Sequence, residues 1–321
     1  MSGKRPGHHT TGRVPTMSLA ISFAAYGEPE QLSLTELTAP QPGPGQVQLK
    51  VRAAGVNPLD WKLRAGYLTG FMPLELPHVP GLEAAGTVTA VGPGVTRWSV
   101  GDEVFGSVPA AYAEYAVTGE ELLAAKPADL SWEQAGALHM AAETSFRTLA
   151  ELGVAKGDTL LIHGAAGSVG AVAVQFAVAA GARVIGTASP ANHDYLRELG
   201  AEPVAYGEGV FERVRALAPE GVHAVLDAAG GYLAGSVELT GGTERVIAIV
   251  DAQEAAGAGV RFSGTDPATW RTAEGLAKVL ELHAAGTFVL PVRTVLPLAE
   301  AAEAHRLSAQ GHGRGRIVLT V

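Results

Sequence analysis

The pattern of apolar and polar positions changes character along the chain. From Met17 to about Leu130, short apolar runs alternate with Gly and Pro, and residues 46–56, 86–92 and 102–108 are predicted as strands, with PQPGPG (40–45) and GPG (92–94) as turns. This is the text of an all-β unit. In the middle of the chain TLLIHG, ARVIGTA, EPVAYG, HAVLDAAG and ERVIAIV are separated by stretches long enough for helical crossovers, which predicts a parallel, doubly wound sheet. Near the end TFVLPVRTVLPL and GRIVLTV return to strand-like text around one helix at 298–308, so the chain is expected to re-enter its first unit. The fold class is α/β, with a β unit beside a Rossmann-type sheet.

Composition sharpens this picture by exclusion. With 321 residues, 47% of them hydrophobic and 17% charged, the chain can bury two cores without cross-links. It has no cysteine, which removes disulfides, thiolate nucleophiles, iron–sulfur clusters and cysteine-ligated zinc. A formal net charge of -9 argues against nucleic acid as a main partner. Residues 1–16 are basic, polar and non-periodic; they read as a disordered or vector-derived leader, and no secretory signal is recognisable. The run 164–182 is uncharged and of membrane-spanning length, but it is rich in Gly and Ala and follows a strand. It reads as a buried Rossmann helix. No membrane partner and a cytoplasmic location are therefore expected.

The chemistry-bearing motif follows the strand text at 159–163. Gly164, Ala165, Gly167, Ser168, Val169 and Gly170 form a glycine-rich loop that opens an apolar helix. In such a loop one glycine permits a tight turn, the next lets backbone N–H groups approach a pyrophosphate, and the last lets helix and strand pack closely. The helix N-terminus adds partial positive charge. In NAD-specific sites a carboxylate about 20 residues on holds the ribose 2′-hydroxyl. Here the next strand ends at Ser189, followed by Asn192 and His193, and the first acid is Asp194. A 2′-phosphate is thus tolerated, with Ser189, Asn192 and His193 as candidate contacts; Ser189 or Asn192 can equally cap the following helix.

These marks, together with AAGVNPLDWKLRAGY (53–67), PHVPGLEAAGTVTAVGPGV (77–95), AAETSFRTL (141–149) and GRGRIVL (313–319), resemble the medium-chain dehydrogenase/reductase superfamily, in particular its zinc-independent quinone oxidoreductase branch. The resemblance covers everything after Met17. It implies a GroES-like catalytic domain from 17–138 and 284–321, a Rossmann domain from 139–283, NADPH in the cleft between them, and a homodimer. Zinc-dependent relatives carry a cysteine at the position of Asn57 and Gly-His-Glu where this chain has Gly81-Leu82-Glu83. No metal site is therefore expected, and His78 reads as structural or solvent-facing.

By the same resemblance Asn57, Tyr67 and Thr144 are the candidate catalytic residues lining the nicotinamide cleft. Ile249 and Arg316 join the cofactor-binding set, Arg316 as a possible phosphate contact. Asn57, Tyr67, Thr144 and Arg316 each have a plainer reading, as a turn residue, a core ring, a helix cap and a solvated charge respectively. Asp60 and Arg64 are expected to pair with each other, and Asp227 to brace a turn. His139 stands where many relatives have proline. The function implied is NADPH-dependent hydride transfer to a small quinone or α,β-unsaturated carbonyl. A free-standing enoyl reductase of polyketide type and a non-catalytic, crystallin-like NADPH-binding protein are the alternatives.

Overall fold

A computed structural model describes residues 17–70, 72–264, 266–311 and 313–321; the leader expected at 1–16 lies outside the described residues. The first part contributes strands β1 (Met17–Ser22), β2 (Ser33–Thr38) and β3 (Gln46–Val56), helix α1 (Pro58–Ala65), then β4 (Glu83–Val91), β5 (Glu103–Ser107), β6 (Tyr115–Gly119) and β7 (Leu123–Ala125). Strand β3 is the hub of this unit. Its residues Val47, Leu49, Val51 and Ala53 alternate into the core, as a strand with one buried face requires, and it pairs antiparallel with both β4 and β6.

Helices α2 (Trp132–Ala135) and α3 (His139–Leu152) lead into the second unit. It runs β8 (Thr159–His163), α4 (Ser168–Ala179), β9 (Arg183–Ala188), α5 (His193–Glu198), β10 (Glu202–Ala205), α6 (Val210–Leu217), β11 (Ala224–Asp227), α7 (Leu233–Thr240), β12 (Val246–Ala248), α8 (Ala252–Gly257), β13 (Arg261–Phe262) and α9 (Thr272–Ala284). The strand order is β10-β9-β8-β11-β12-β13, every pair parallel. This is the order of a dinucleotide-binding sheet, in which the ligand crevice lies at the carboxyl ends of the strands where the order reverses. The five expected parallel strands are all present. The sixth, β13, has two residues, too few to leave a periodic signal.

The return to the first unit is made by β14 (Val292–Pro297), α10 (Ala301–Gln310) and β15 (Arg316–Thr320). Strand β15 lies between β14, to which it is parallel, and β3, to which it is antiparallel. Two details differ from the sequence reading. The strand expected from Thr287 begins only at Val292, because the preceding stretch is held by α4: Gln175 bonds both the N–H and the carbonyl of Val289, at 2.7 and 2.9 Å, and Leu290 is buried in the core. The helix expected from Leu298 starts at Ala301, after a 3-10 turn. The largest core cluster includes Phe105 and Ala85 of the antiparallel sheet beside residues of α3, α4, β8 and β11, so the two units share packed surface. Among the described residues no helix is long and apolar enough to cross a membrane; the uncharged run at 164–182 forms the 12-residue helix α4.

Candidate active site

A cavity of about 470 Å³ lies between the two units and is lined by residues of both. On the parallel-sheet side its wall is the loop between β8 and α4: Gly164, Gly167, Ser168, Val169 and Gly170 all face it. Sequence dictates this shape. Gly164 has φ +73°, a conformation that glycine adopts without penalty. A Cβ on Gly170 would stand 2.3 Å from the carbonyl oxygen of Gly164, so only glycine lets α4 begin so close to the strand. The first helical bond of α4 runs from the Ala171 N–H to the Gly167 carbonyl, 2.8 Å. The N–H groups of Ser168, Val169 and Gly170 therefore have no place in the helix's own bonding. They form a donor-rich helix terminus against the cavity, a cradle suited to a pyrophosphate. Ile249 lines the same cavity. Ala165 does not: it is fully buried behind the loop, its N–H bonded to the Thr187 carbonyl at 3.0 Å.

Facing this wall is a buried polar cluster built around Asn57. Asn57 precedes Pro58, the first residue of α1, a position that suits proline; Asp60 reaches back to accept the Asn57 backbone N–H at 2.8 Å. The Asn57 side chain donates Nδ2 to Glu83 Oε1 at 2.8 Å and accepts from Arg316 at Oδ1, 2.9 Å. Arg316 also pairs directly with Glu83, their side chains 4% and 1% exposed. Glu83 uses its other oxygen to accept the N–H of Met140 at 2.9 Å, tying down the start of α3. Gly55 makes room for this carboxylate, since a Cβ there would lie 2.3 Å from Glu83 Oε1. The amide of Asn57 is thus fixed in direction. An arginine donor on one end and a carboxylate on the other allow only one orientation, leaving the second Nδ2 hydrogen for the cavity.

Thr144 of α3 lines the cavity, as does Glu143 beside it. Glu143 is buried and accepts Nε and Nη2 of Arg147 at 2.8 and 3.1 Å. Arg147 in turn bonds Ser263. This pair is absent from the sequence reading, although its i,i+4 spacing in AAETSFRTL was a usable signal. Lys62 and Arg293 also reach the cavity, and neither has an ion pair among the described residues. Both lining or backing carboxylates, Glu143 and Glu83, already hold an arginine. The cavity is consequently cationic in a chain whose net charge is -9.

Three expectations differ from what the structure places at these positions. Tyr67 is 70% exposed and does not line the cavity. Gly66, in the left-handed conformation that ends α1, turns the chain outward, and the Tyr67 ring packs edge-on against Trp61 at 5.8 Å. Arg316 does border the cavity, with its Nη2 bonded to Glu83 and Asn57 and its buried Nε without a partner among the described residues. Asp60 and Arg64 do not pair. Asp60 is buried against the Asn57 N–H and the Tyr112 hydroxyl, the latter at 3.0 Å, and desolvation pushes its carboxyl up to about 7. Arg64 bonds the His305 ring at 3.3 Å and the Gly27 carbonyl.

Ser189 and Asn192 meet at the tip of β9, Asn192 Nδ2 donating to Ser189 Oγ at 3.2 Å, with His193 opening α5 next to them. None of the three lines the cavity. Asp227 braces its turn, accepting the N–H groups of Ala229 and Gly230 at 2.9 and 2.8 Å. His78 is half-buried edge-on against Phe23, and burial lowers its pKa. His139 is buried with both ring nitrogens unpartnered, and burial lowers its pKa to about 3. It is a neutral ring that does not border the cavity. Among the described residues no cluster of three metal-ligating side chains occurs.

Known proteins extend this geometry. The alcohol dehydrogenase GroES-like domain family matches residues 43–138, and the family described as zinc-binding dehydrogenase matches 199–319. A quinone oxidoreductase of Pseudomonas aeruginosa is 40% identical over 204 residues, 62% of each chain. The spectinabilin polyketide synthase protein NorB of Streptomyces orinoci is 38% identical over 294 residues, which is 87% of this chain and 13% of that protein. The matches thus span less than two thirds of these curated relatives. Among solved structures, the mycobacterial protein Rv1454c complexed with NADPH superimposes with a TM-score of 0.81 at 33% identity, over 94% of this chain and all of that one. Sheet order, glycine loop, inter-unit cavity and these likenesses agree: the chain belongs to the medium-chain dehydrogenase/reductase superfamily, in its quinone oxidoreductase branch.

Proposed function

We propose that this chain binds NADPH and reduces a small quinone or α,β-unsaturated carbonyl without a metal, as a soluble, cytoplasmic homodimer. On this reading residues 17–138 and 284–321 form the catalytic domain, and 139–283 hold the cofactor. The observation that carries the proposal is the meeting, across one cavity, of the donor-rich start of α4 and the fixed amide of Asn57. The glycine loop suits a pyrophosphate because the approach to Gly170 leaves no room for a side chain. Ser189 and Asn192 suit a 2′-phosphate because no carboxylate stands beside them at the tip of β9. When bound, NADPH supplies the hydride.

The chain's own part is position and polarity. Lys62 and Arg293 add favourable potential for an anionic cofactor. The second Nδ2 hydrogen of Asn57, and the Thr144 hydroxyl once it turns from its 3.4 Å bond to Glu143 Oε2, offer hydrogen bonds to an acceptor's carbonyl oxygen as it gains negative charge. Burial of Glu83, Arg316 and Glu143 keeps water from competing for these donors. Leu59, Met140, Phe262 and Trp270 supply apolar wall for a conjugated acceptor. With Asn57 and Leu82 at two positions where zinc-dependent relatives hold metal, no Lewis acid is required.

A second reading, a polyketide-type enoyl reductase, draws support from the match to NorB. Steady-state NADPH oxidation against quinones, enals and a thioester-linked enoyl substrate, with and without chelator, tests both. Turnover of quinones or enals that survives the chelator is expected. Turnover confined to the enoyl thioester would replace the first reading by the second. No turnover with NADPH bound would leave a binding protein, and chelator-sensitive activity with stoichiometric zinc would overturn the metal-free chemistry.

A further inference from the structure

The tip of β9 tolerates a 2′-phosphate, yet its own segment has no cation to offer one. Between Thr187 and Leu199 the single Lys or Arg is Arg197, and it is engaged with Asp194 at 2.6 Å. Arg213, near the end of the adjacent β10, donates to the carbonyl of Ala205 at 3.3 and 2.9 Å and to that of Tyr206 at 3.5 Å. Arg316, the cation expected to meet a phosphate, is buried with Glu83.

A different arginine arrives from the opposite unit. Arg314 lies two residues before β15. Its guanidinium stacks over the ring of Tyr195, 4.8 Å from the centroid, and Tyr195 sits in the first turn of α5, which begins directly after Asn192. Tyr195 is itself buried in the core of the parallel-sheet unit, so it is a firm shelf. Arg314 is exposed and has no carboxylate partner among the described residues. The neighbouring Gly313 and Gly315 line the cavity, so the segment carrying Arg314 borders the same space as the glycine loop. A planar guanidinium held by its face on an aromatic ring keeps its N–H edge available for phosphate oxygens.

We infer that Arg314 is the phosphate-binding residue that selects NADPH over NADH, and that it does so from the catalytic unit, so that the 2′-phosphate clasps the two units together. This rests on the proposed binding of NADPH. A residue of the Rossmann unit would give selectivity alone; a residue of the opposite unit also makes the phosphate a bridge.

Dissociation constants for NADPH, NADH and 2′,5′-ADP, measured by nucleotide fluorescence or calorimetry, test the inference in the wild type and in Arg314→Ala, Arg314→Lys, Arg197→Ala and Arg213→Ala. Arg314→Ala is expected to weaken NADPH and 2′,5′-ADP by roughly 10- to 100-fold, the size of a charged hydrogen-bond contact, while NADH is unchanged. Arg314→Lys should retain part of the preference, and the other two variants all of it. At matched total concentration NADPH should raise the wild-type melting temperature more than NADH does, and Arg314→Ala should abolish that difference. Equal losses for both cofactors, no loss in Arg314→Ala, or transfer of the loss to Arg197→Ala or Arg213→Ala would overturn the assignment while leaving NADPH binding intact. A wild type that binds neither nucleotide would overturn the proposed function as well.

Discussion

Replacing Glu83 by leucine tests whether the cluster beneath Asn57 acts as a unit. The substitution removes the acceptor of the Asn57 Nδ2 bond, the acceptor of the Met140 N–H, and the counter-ion of Arg316, which is only 4% exposed. Breaking a buried ion pair by deleting one partner costs about 3–5 kcal/mol, because the remaining charge stays desolvated. At about 2–4 °C per kcal/mol this lowers the melting temperature by roughly 6–20 °C. Arg316→Leu should cost a similar amount, stranding Glu83 instead. The double variant removes both charges together and should cost less than the sum, leaving the Met140 N–H and the Asn57 amide without these partners, at about 1–3 kcal/mol for each unsatisfied group. Thermal unfolding of the four proteins closes a double-mutant cycle with an expected coupling of about 3 kcal/mol or more. Turnover should not recover in the double variant, since nothing then fixes the Asn57 amide. Additive losses would show that the pair is not coupled and refute the reasoning.

Three further outcomes follow from other positions. Gly170→Ala places a Cβ 2.3 Å from the Gly164 carbonyl oxygen and should abolish NADPH binding in a titration; full affinity would mean that the loop can rearrange. Thr144→Val should slow turnover by up to the roughly 2.7–4 kcal/mol that an organised oxyanion donor provides, more for simple enones than for quinones, whose rings spread charge; unchanged kcat on all acceptors would remove Thr144 from the site. His139→Leu deletes two unsatisfied buried nitrogens and should stabilise the fold by about 1–3 kcal/mol. Its effect should also depend on pH: burial holds the folded pKa of His139 at about 3, below the ordinary 6.5, so the wild type loses stability as pH falls below 6.5. The variant should flatten that slope in urea titrations between pH 7 and 4, and parallel slopes would contradict the buried, neutral ring.

What the sequence disclosed follows periodicity and punctuation. Gly164, Gly167 and Gly170 lie where a short-range steric rule puts them, and the parallel strands are continuous apolar runs whose alternation with helices survives any error in their ends. Lone side chains were less legible. Asn57 and Tyr67 sit ten residues apart in one motif, yet α1 and the turn at Gly66 send one to the cavity and the other to solvent. Arg316 and Glu83 are 233 residues apart, and no local pattern announces a partnership of that range. Asp60 and Arg64 show the opposite error: the i,i+4 spacing was right for a pair, but Tyr112 and His305, brought in from elsewhere, took one partner each.

The position of β15 bears on the order in which the protein matures. Its slot between β14 and β3 stays open until the whole parallel sheet has been synthesised, because that sheet is encoded between β7 and β14. Asn57 emerges early, but the arginine that sets its amide lies 259 residues downstream, on the strand that closes the slot. A nascent chain can therefore form its pyrophosphate cradle, which is local to β8 and α4, before the opposing amide is oriented. Binding of the pyrophosphate-bearing nucleotide should appear first, and the preference for NADPH and turnover only after β15 docks, so the ratio of binding to turnover would time the closure of the fold during synthesis or refolding.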